Sequence, residues 1–240
     1  LSFVELVVYL YWNFLEISPE NSRETDRDRF VLSKGHGITT LYAALAERGF
    51  FPTKLFKDYA QAGSPLSEHP SPRCVPGIEV ATGSLGHGLS VATGIALASK
   101  MNAIPCSIVS LLSDGECNEG STWEAALVAP AHNLDNLIAI IDFNKWQATG
   151  RSAEITALEP LEKKFEAFGW NTVRIDGHDF SQIKFALATA KKSDKPFAII
   201  ADTIKGKGIK MMEDDNNWHY RIPSKEEVDS AFEELGIEPL

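Results

Sequence analysis

The sequence predicts an α/β protein: a mostly parallel sheet with helices packed on both of its faces. Ser107–Ser113, Leu137–Phe143 and Phe197–Asp202 are continuous apolar runs of strand length. Unbroken rather than alternating apolarity marks strands covered on both sides. Segments of helical length and period separate the runs, and strand–helix–strand alternation brings successive strands parallel through crossover connections. At 240 residues the chain is long enough to bury a full core, and a single three-layer α/β/α unit over residues 1–240 is expected.

Residues 2–16 read as a helix, with Val4, Val7, Val8 and Tyr11 on one face. Because the chain opens Leu1-Ser2-Phe3 inside that pattern, further residues are expected before it. Arg29–Ser33 is a short strand and residues 38–48 a helix, with Leu41, Ala44 and Leu45 as its apolar stripe. Pro65, Pro70, Pro72 and Pro76 make 63–80 a loop. Gly83, Gly86 and Gly88 introduce a helix of small residues, Leu89–Met101. The strand Ser107–Ser113 then ends on Asp114-Gly115. A helix over Asn118–His132 leads to the strand Leu137–Phe143, with Asn144 directly after it. Residues 158–168 and 180–192 read as helices around the strand Val173–Ile175, and Phe197–Asp202 closes the sheet. The charged tail 209–240 ends in a helix near 224–235.

Composition narrows the function. A formal net charge of −10 without a Lys/Arg cluster argues against nucleic acid or an anionic membrane surface as partner. No apolar run is long enough to span a bilayer. Cys74, Cys106 and Cys117 are odd in number and lack ligand spacing, so reduced thiols in a cytoplasmic setting are expected.

The chemistry concentrates at two strand ends. Asp114 and Asn144 each follow an apolar strand, and one helix joins those strands. A right-handed crossover therefore sets the two ends side by side on the rim where open α/β sheets bind ligands. Asp-Gly after a strand is commonly only a turn, and Asn there a cap. Their placement at equivalent strand ends sets a ligand-binding role on an equal footing with those structural ones. A carboxylate, an amide oxygen and a nearby carbonyl are hard donors suited to Mg²⁺, which takes its remaining ligands from water and phosphate. Gly115 lets the backbone approach a phosphate, and the following helix adds N–H donors. An acidic chain can thus hold a diphosphate through metal and backbone.

Asp-Gly followed by Asn-Lys in this arrangement resembles the signature of thiamine-diphosphate enzymes, and the surrounding text resembles transketolase. The segments are Arg29-Phe-Val-Leu-Ser-Lys-Gly-His36, Glu68-His69-Pro70, Gly77 to Gly88, Glu119-Gly-Ser-Thr-Trp-Glu124, Arg174-Ile-Asp-Gly-His-Asp179 and Thr203-Ile-Lys-Gly-Lys-Gly208. They stand in the family's order over about residues 2–225. The resemblance implies the thiamine-diphosphate-binding fold and a cofactor pair of thiamine diphosphate with Mg²⁺, for which Ca²⁺ or Mn²⁺ can substitute. It implies that Asp114, Asn144 and the Trp146 carbonyl bind the metal. Gly83, Leu85, Gly115, Glu116, Glu119 and Ile204, with His36 and Asn144, would line the cofactor. His36, His69 and His219 would face cofactor and sugar as the catalytic histidines.

Two positions depart from the family: Ser113, where glycine is usual before Asp-Gly, and Trp146, where an aliphatic residue is usual. The glutamate that activates the cofactor lies, in the family, on a later pyrimidine domain, followed by a C-terminal domain. The resemblance therefore implies one subunit of a split transketolase, joined to a second subunit in a heterotetramer. The reaction implied is two-carbon ketol transfer from a ketose phosphate to an aldose acceptor. An alpha subunit of a 2-oxo acid dehydrogenase would lack use for the Gly-His and Glu-His-Pro segments. A non-catalytic homologue would have little reason to keep Asp114, Gly115, Glu119 and Asn144.

Overall fold

A computed structural model describes residues 1–72 and 74–238. The elements in order are α1 (Val4–Tyr9), β1 (Arg29–Leu32), α2 (Ile38–Glu47), α3 (His87–Met101), β2 (Ile108–Ser113), α4 (Gly120–Ala131), β3 (Leu137–Phe143), β4 (Trp146–Gln147) and β5 (Gly150–Arg151). Then follow α5 (Ser152–Ile155), α6 (Leu161–Ala167), β6 (Asn171–Asp176), α7 (Phe180–Ala190), β7 (Phe197–Asp202) and α8 (Lys225–Leu235).

The central sheet has the order β1-β2-β3-β7-β6, and all four pairings are parallel. Side chains alternate across it, as strand geometry requires. Val109, Leu111, Ile138, Ile140 and Ile199 pack on one face with Leu6 of α1, Leu41 and Leu45 of α2, and Ile183 of α7. Ile108, Leu112, Leu137, Ile141 and Ile200 pack on the other with Leu89 of α3, Ala126 of α4 and Phe165 of α6. The three-layer sandwich follows from this division. No helix among the described residues is long and apolar enough to cross a membrane, and the three cysteines are free.

The first helix differs from expectation. The α-helix ends at Tyr9, and Leu10–Phe14 form a wider π-type turn closed by a hydrogen bond from Leu15 N–H to the Leu10 carbonyl, 2.8 Å. Leu10 and Tyr11 are both buried, and Tyr11 sets its ring edge-on to Phe30 and Phe50. Apolar periodicity alone does not distinguish such a turn from regular helix. The β4–β5 hairpin and α5 were also not foreseen, because two-residue strands carry no periodic signal. Residues 63–72 and 74–80 hold no helix or strand, as their prolines require.

Candidate active site at the strand ends

Parallel register places the two sequence-predicted ligands together. Ser113 of β2 pairs with Asp142 of β3, and Asp114 N–H donates to the Asp142 carbonyl at 3.3 Å. Asp114 is fully buried. Its Oδ1 accepts from Gly115 N–H at 2.9 Å and its Oδ2 from Ser152 Oγ at 2.7 Å. Burial pushes its carboxyl up to about 6, against which the Ser152 bond acts. A carboxylate so starved of solvent is a natural seat for a cation.

Asn144 Nδ2 donates to Asp142 Oδ2 at 3.2 Å, while Asn144 Oδ1 accepts from Trp146 N–H at 3.0 Å. Asp142 is itself fully buried. It also accepts from Ser2 Oγ at 2.6 Å, from Thr203 Oγ1 and from the Lys34 ammonium. Burial alone would raise this carboxyl; Lys34 and the two hydroxyls more than offset it and hold the group below its ordinary range. Among the described residues no three His, Cys, Asp or Glu side chains form a metal cluster. The expected donor set has one carboxylate, completed by amide and carbonyl oxygens, and that chemistry fits Mg²⁺ better than a softer ion.

Over the turn after β2, Gly115 leaves room that a side chain would close: a Cβ there would sit 3.1 Å from Gln147 Cγ. The buried Gln147 Nε2 has no partner. Gly115 is thus needed for the close packing of Gln147 on the turn, and the unpaired Gln147 amide is a donor of the kind a phosphate oxygen would satisfy. Gln147 lies in the unforeseen hairpin, and the sequence held no signal for it.

Three histidines from three distant segments meet nearby. The His36 ring lies 5.0 Å from that of His69 and 6.3 Å from that of His219, centroid to centroid. His36 sits in a tight turn over Gly35–Gly37, directly after Lys34. Gly83 makes the approach of His69 possible: its φ is +135°, and a Cβ would come within 2.3 Å of the His69 ring. Burial, with neighbouring positive charge and histidines, holds His36 below its ordinary value and takes His219 down to about 4. Both are neutral at pH 7. Lys205 Nζ lies 3.3 Å from His219 Nδ1. An ammonium cannot accept, so Nδ1 does, and the His219 proton sits on Nε2, available for donation.

Lys34 and Lys205 were not singled out from the sequence, although both lie in quoted motifs. Their distance along the chain hid a local cationic patch that the fold assembles. Ile204 is exposed, and its N–H donates to His178 Nε2 at 2.9 Å. His178 Nδ1 in turn lies 3.0 Å from Glu5 Oε1. Leu85 is half-buried and Glu119 exposed; the Glu119 carbons pack beneath Gly86.

Glu116 turns inward. Its Oε1 accepts from Ser33 Oγ and from Gly86 N–H at 2.8 Å, and its N–H donates to Ser113 Oγ at 3.1 Å. Its carboxylate braces β1, the start of α3 and the turn after β2 against one another. The Ser113 hydroxyl caps that turn, which is how a serine is accommodated there. The Trp146 indole is held between loops: Nε1 donates to Asp214 Oδ1 at 2.8 Å, and the Arg151 guanidinium lies 3.8 Å over the ring. Arg151 also grips Asp214 with two hydrogen bonds of 2.7 and 2.6 Å.

Residues 1–240 match the model of the family described as "Transketolase, thiamine diphosphate binding domain". A 6-deoxy-6-sulfo-D-fructose transketolase subunit of Clostridium sp. (strain MSTE9) is 46% identical over 214 residues, covering 89% of this chain and 78% of that protein. An apulose-4-phosphate transketolase subunit from Actinobacillus succinogenes is 42% identical over 235 residues, covering 98% of this chain and 85% of that protein. Among solved structures, the transketolase of Campylobacter jejuni superposes with a TM-score of 0.88 at 31% identity, covering 98% of this chain and 41% of that one. The chain thus spans about two fifths of that transketolase.

Proposed function

The chain belongs to the transketolase N-terminal family, the thiamine-diphosphate-binding domain, and from that premise we propose that it supplies the metal and diphosphate wall of a two-subunit transketolase. One observation carries the reading. His36, His69 and His219, from three separate segments, gather around His36, two residues after Lys34, whose ammonium bonds to Asp142, the hydrogen-bond partner of Asn144. Asp114, Asn144 Oδ1 and the Trp146 carbonyl would hold Mg²⁺, with Ca²⁺ or Mn²⁺ able to replace it. Gly115 and Gln147 would meet the diphosphate, with Gly83, Leu85, Glu119 and Ile204 around the cofactor.

Thiamine diphosphate, when bound, supplies the carbanion chemistry of two-carbon ketol transfer. The protein's part is positioning and proton handling. Neutral His36 and His219 each offer one N–H donor and one acceptor nitrogen, suited to steadying the oxygens of a ketose phosphate and an aldose acceptor. His219 is set to donate through Nε2. Several relatives carry the word subunit in their names. That supports a second polypeptide; in this reading the partner would bear the pyrimidine and C-terminal domains, and the pair would assemble as a heterotetramer in the cytoplasm.

The test is co-purification of the full-length protein with the product of the neighbouring reading frame. A ketol-transfer assay with Mg²⁺ and thiamine diphosphate follows. A pair that binds the cofactor yet moves no two-carbon unit between sugar phosphates would refute the assignment.

A further inference from the structure

We infer that Asp142 is the positioning residue of the metal site, fixing which end of the Asn144 amide faces the rim. The inference rests on the metal reading above. The two ends of an asparagine amide are nearly identical in shape, and hydrogen bonding alone decides their orientation. With its nitrogen outward, Asn144 would aim two N–H groups at a cation. Asp142 forbids that: its carboxylate only accepts, and it accepts from Asn144 Nδ2 at 3.2 Å. Trp146 N–H, bonded to Oδ1 at 3.0 Å, favours the same orientation from the opposite side.

Asp142 is in turn fixed from three remote parts of the chain. Ser2 Oγ and Lys34 Nζ share its Oδ2 with Asn144, and Thr203 Oγ1 takes Oδ1. These segments precede α1, follow β1 and follow β7. The orientation of one ligand therefore depends on the N-terminal segment and on both sheet neighbours of the β2–β3 pair. Such outer contacts ordinarily change metal affinity by about 10- to 100-fold.

The experiment measures the Mg²⁺ concentration at half-saturation of thiamine diphosphate binding, followed by intrinsic tryptophan fluorescence. The sample is the full-length protein in complex with its partner. Asp142→Ala is expected to raise that concentration by about 10- to 100-fold. Asp142→Asn is expected to recover most of the loss. Its amide oxygen can occupy the Oδ2 position and its NH₂ can face Thr203 Oγ1, whose hydroxyl is able to accept. Both substitutions remove the charge opposite Lys34, so a merely structural role would lower the melting temperature of both without separating their Mg²⁺ midpoints. An unchanged midpoint in Asp142→Ala, or equal impairment in Asp142→Asn, overturns the inference.

A second comparison serves where Asp142→Ala does not fold. Asn144→Asp alone sets a second carboxylate against that of Asp142, across a contact that spans 3.2 Å in the wild type. Asn144→Asp with Asp142→Asn restores a donor facing an acceptor. The exchange is expected to bind Mg²⁺ more tightly than Asn144→Asp alone. The reverse order, expected if negative charge alone governs affinity, overturns the inference. Asp114→Ala separates the two levels. If it leaves Mg²⁺ dependence intact, the metal reading itself fails; if it abolishes that dependence while Asp142 proves indifferent, only the role of Asp142 falls.

Discussion

Asp114→Asn should stabilise the metal-free protein while destroying its response to metal. Asp114 is fully buried, and its carboxyl is raised from 3.8 to about 6, chiefly by burial. Between those values the folded protein binds a proton that the unfolded chain has released, so stability falls as pH rises through the window. A shift of that size corresponds to about 3 kcal/mol, fully lost above pH 6. Asparagine cannot ionise. Its amide keeps both contacts, the oxygen accepting from Gly115 N–H and the NH₂ donating to Ser152 Oγ. Urea unfolding in EDTA should therefore show the variant more stable at pH 7.5 by up to about 3 kcal/mol, with the advantage shrinking toward pH 4. With Mg²⁺ and thiamine diphosphate in excess, the order should reverse, because only the wild type gains binding free energy. A variant no more stable than wild type at pH 7.5 without metal, or an advantage that persists unchanged to pH 4, would refute the reasoning.

Gly83→Ala places a methyl against the His69 ring at φ +135°; a loss of about 1–3 kcal/mol in thermal or urea unfolding is expected, with weakened cofactor binding. The His219 ring should titrate near pH 4 by NMR rather than near 6.5. Because its folded value lies below its unfolded one, its contribution is lost as pH falls from 6.5 toward 4. Ser113→Ala removes the acceptor for Glu116 N–H and should cost about 0.5–2 kcal/mol by chemical denaturation. Asp214→Ala releases Trp146 and Arg151; these exposed contacts are worth about 1 kcal/mol or less in stability, yet hydrogen exchange over residues 205–219 should accelerate.

Much of this molecule was readable in its residues. The continuous apolar runs identified the strands of a parallel sheet, and strand ends are where a parallel sheet gathers polar side chains. The residues alone therefore pair Asp114 with Asn144. The ordered motif segments identified the three histidines. What escaped has a common physical cause, since each contact lacks a local period. Lys34 and Asp142 meet across 108 residues, and Arg151 and Asp214 across 63. Gln147 lies on a two-residue strand that no hydrophobic pattern announces. Glu116 sits beside a phosphate-type turn in sequence, yet its carboxylate serves the interior, because Ser33 and Gly86 offer donors that no spacing rule contains.

The all-parallel order β1-β2-β3-β7-β6 also bears on how the protein comes to have a site at all. The pairings that flank β2–β3 are the least local: residues 33–107 separate β1 from β2 and residues 144–196 separate β3 from β7, whereas only residues 114–136 separate β2 from β3. Loop-closure entropy must be overcome before those pairings contribute, which makes such sheets slow to form. Lys34 and His36 come from the edge beside β1, and Thr203 and Lys205 from beyond β7. A partly assembled sheet could hold β2 and β3 with Asp114 and Asn144 in place and still lack both flanks. Metal affinity, followed during refolding, would then report completion of the sheet rather than its nucleation.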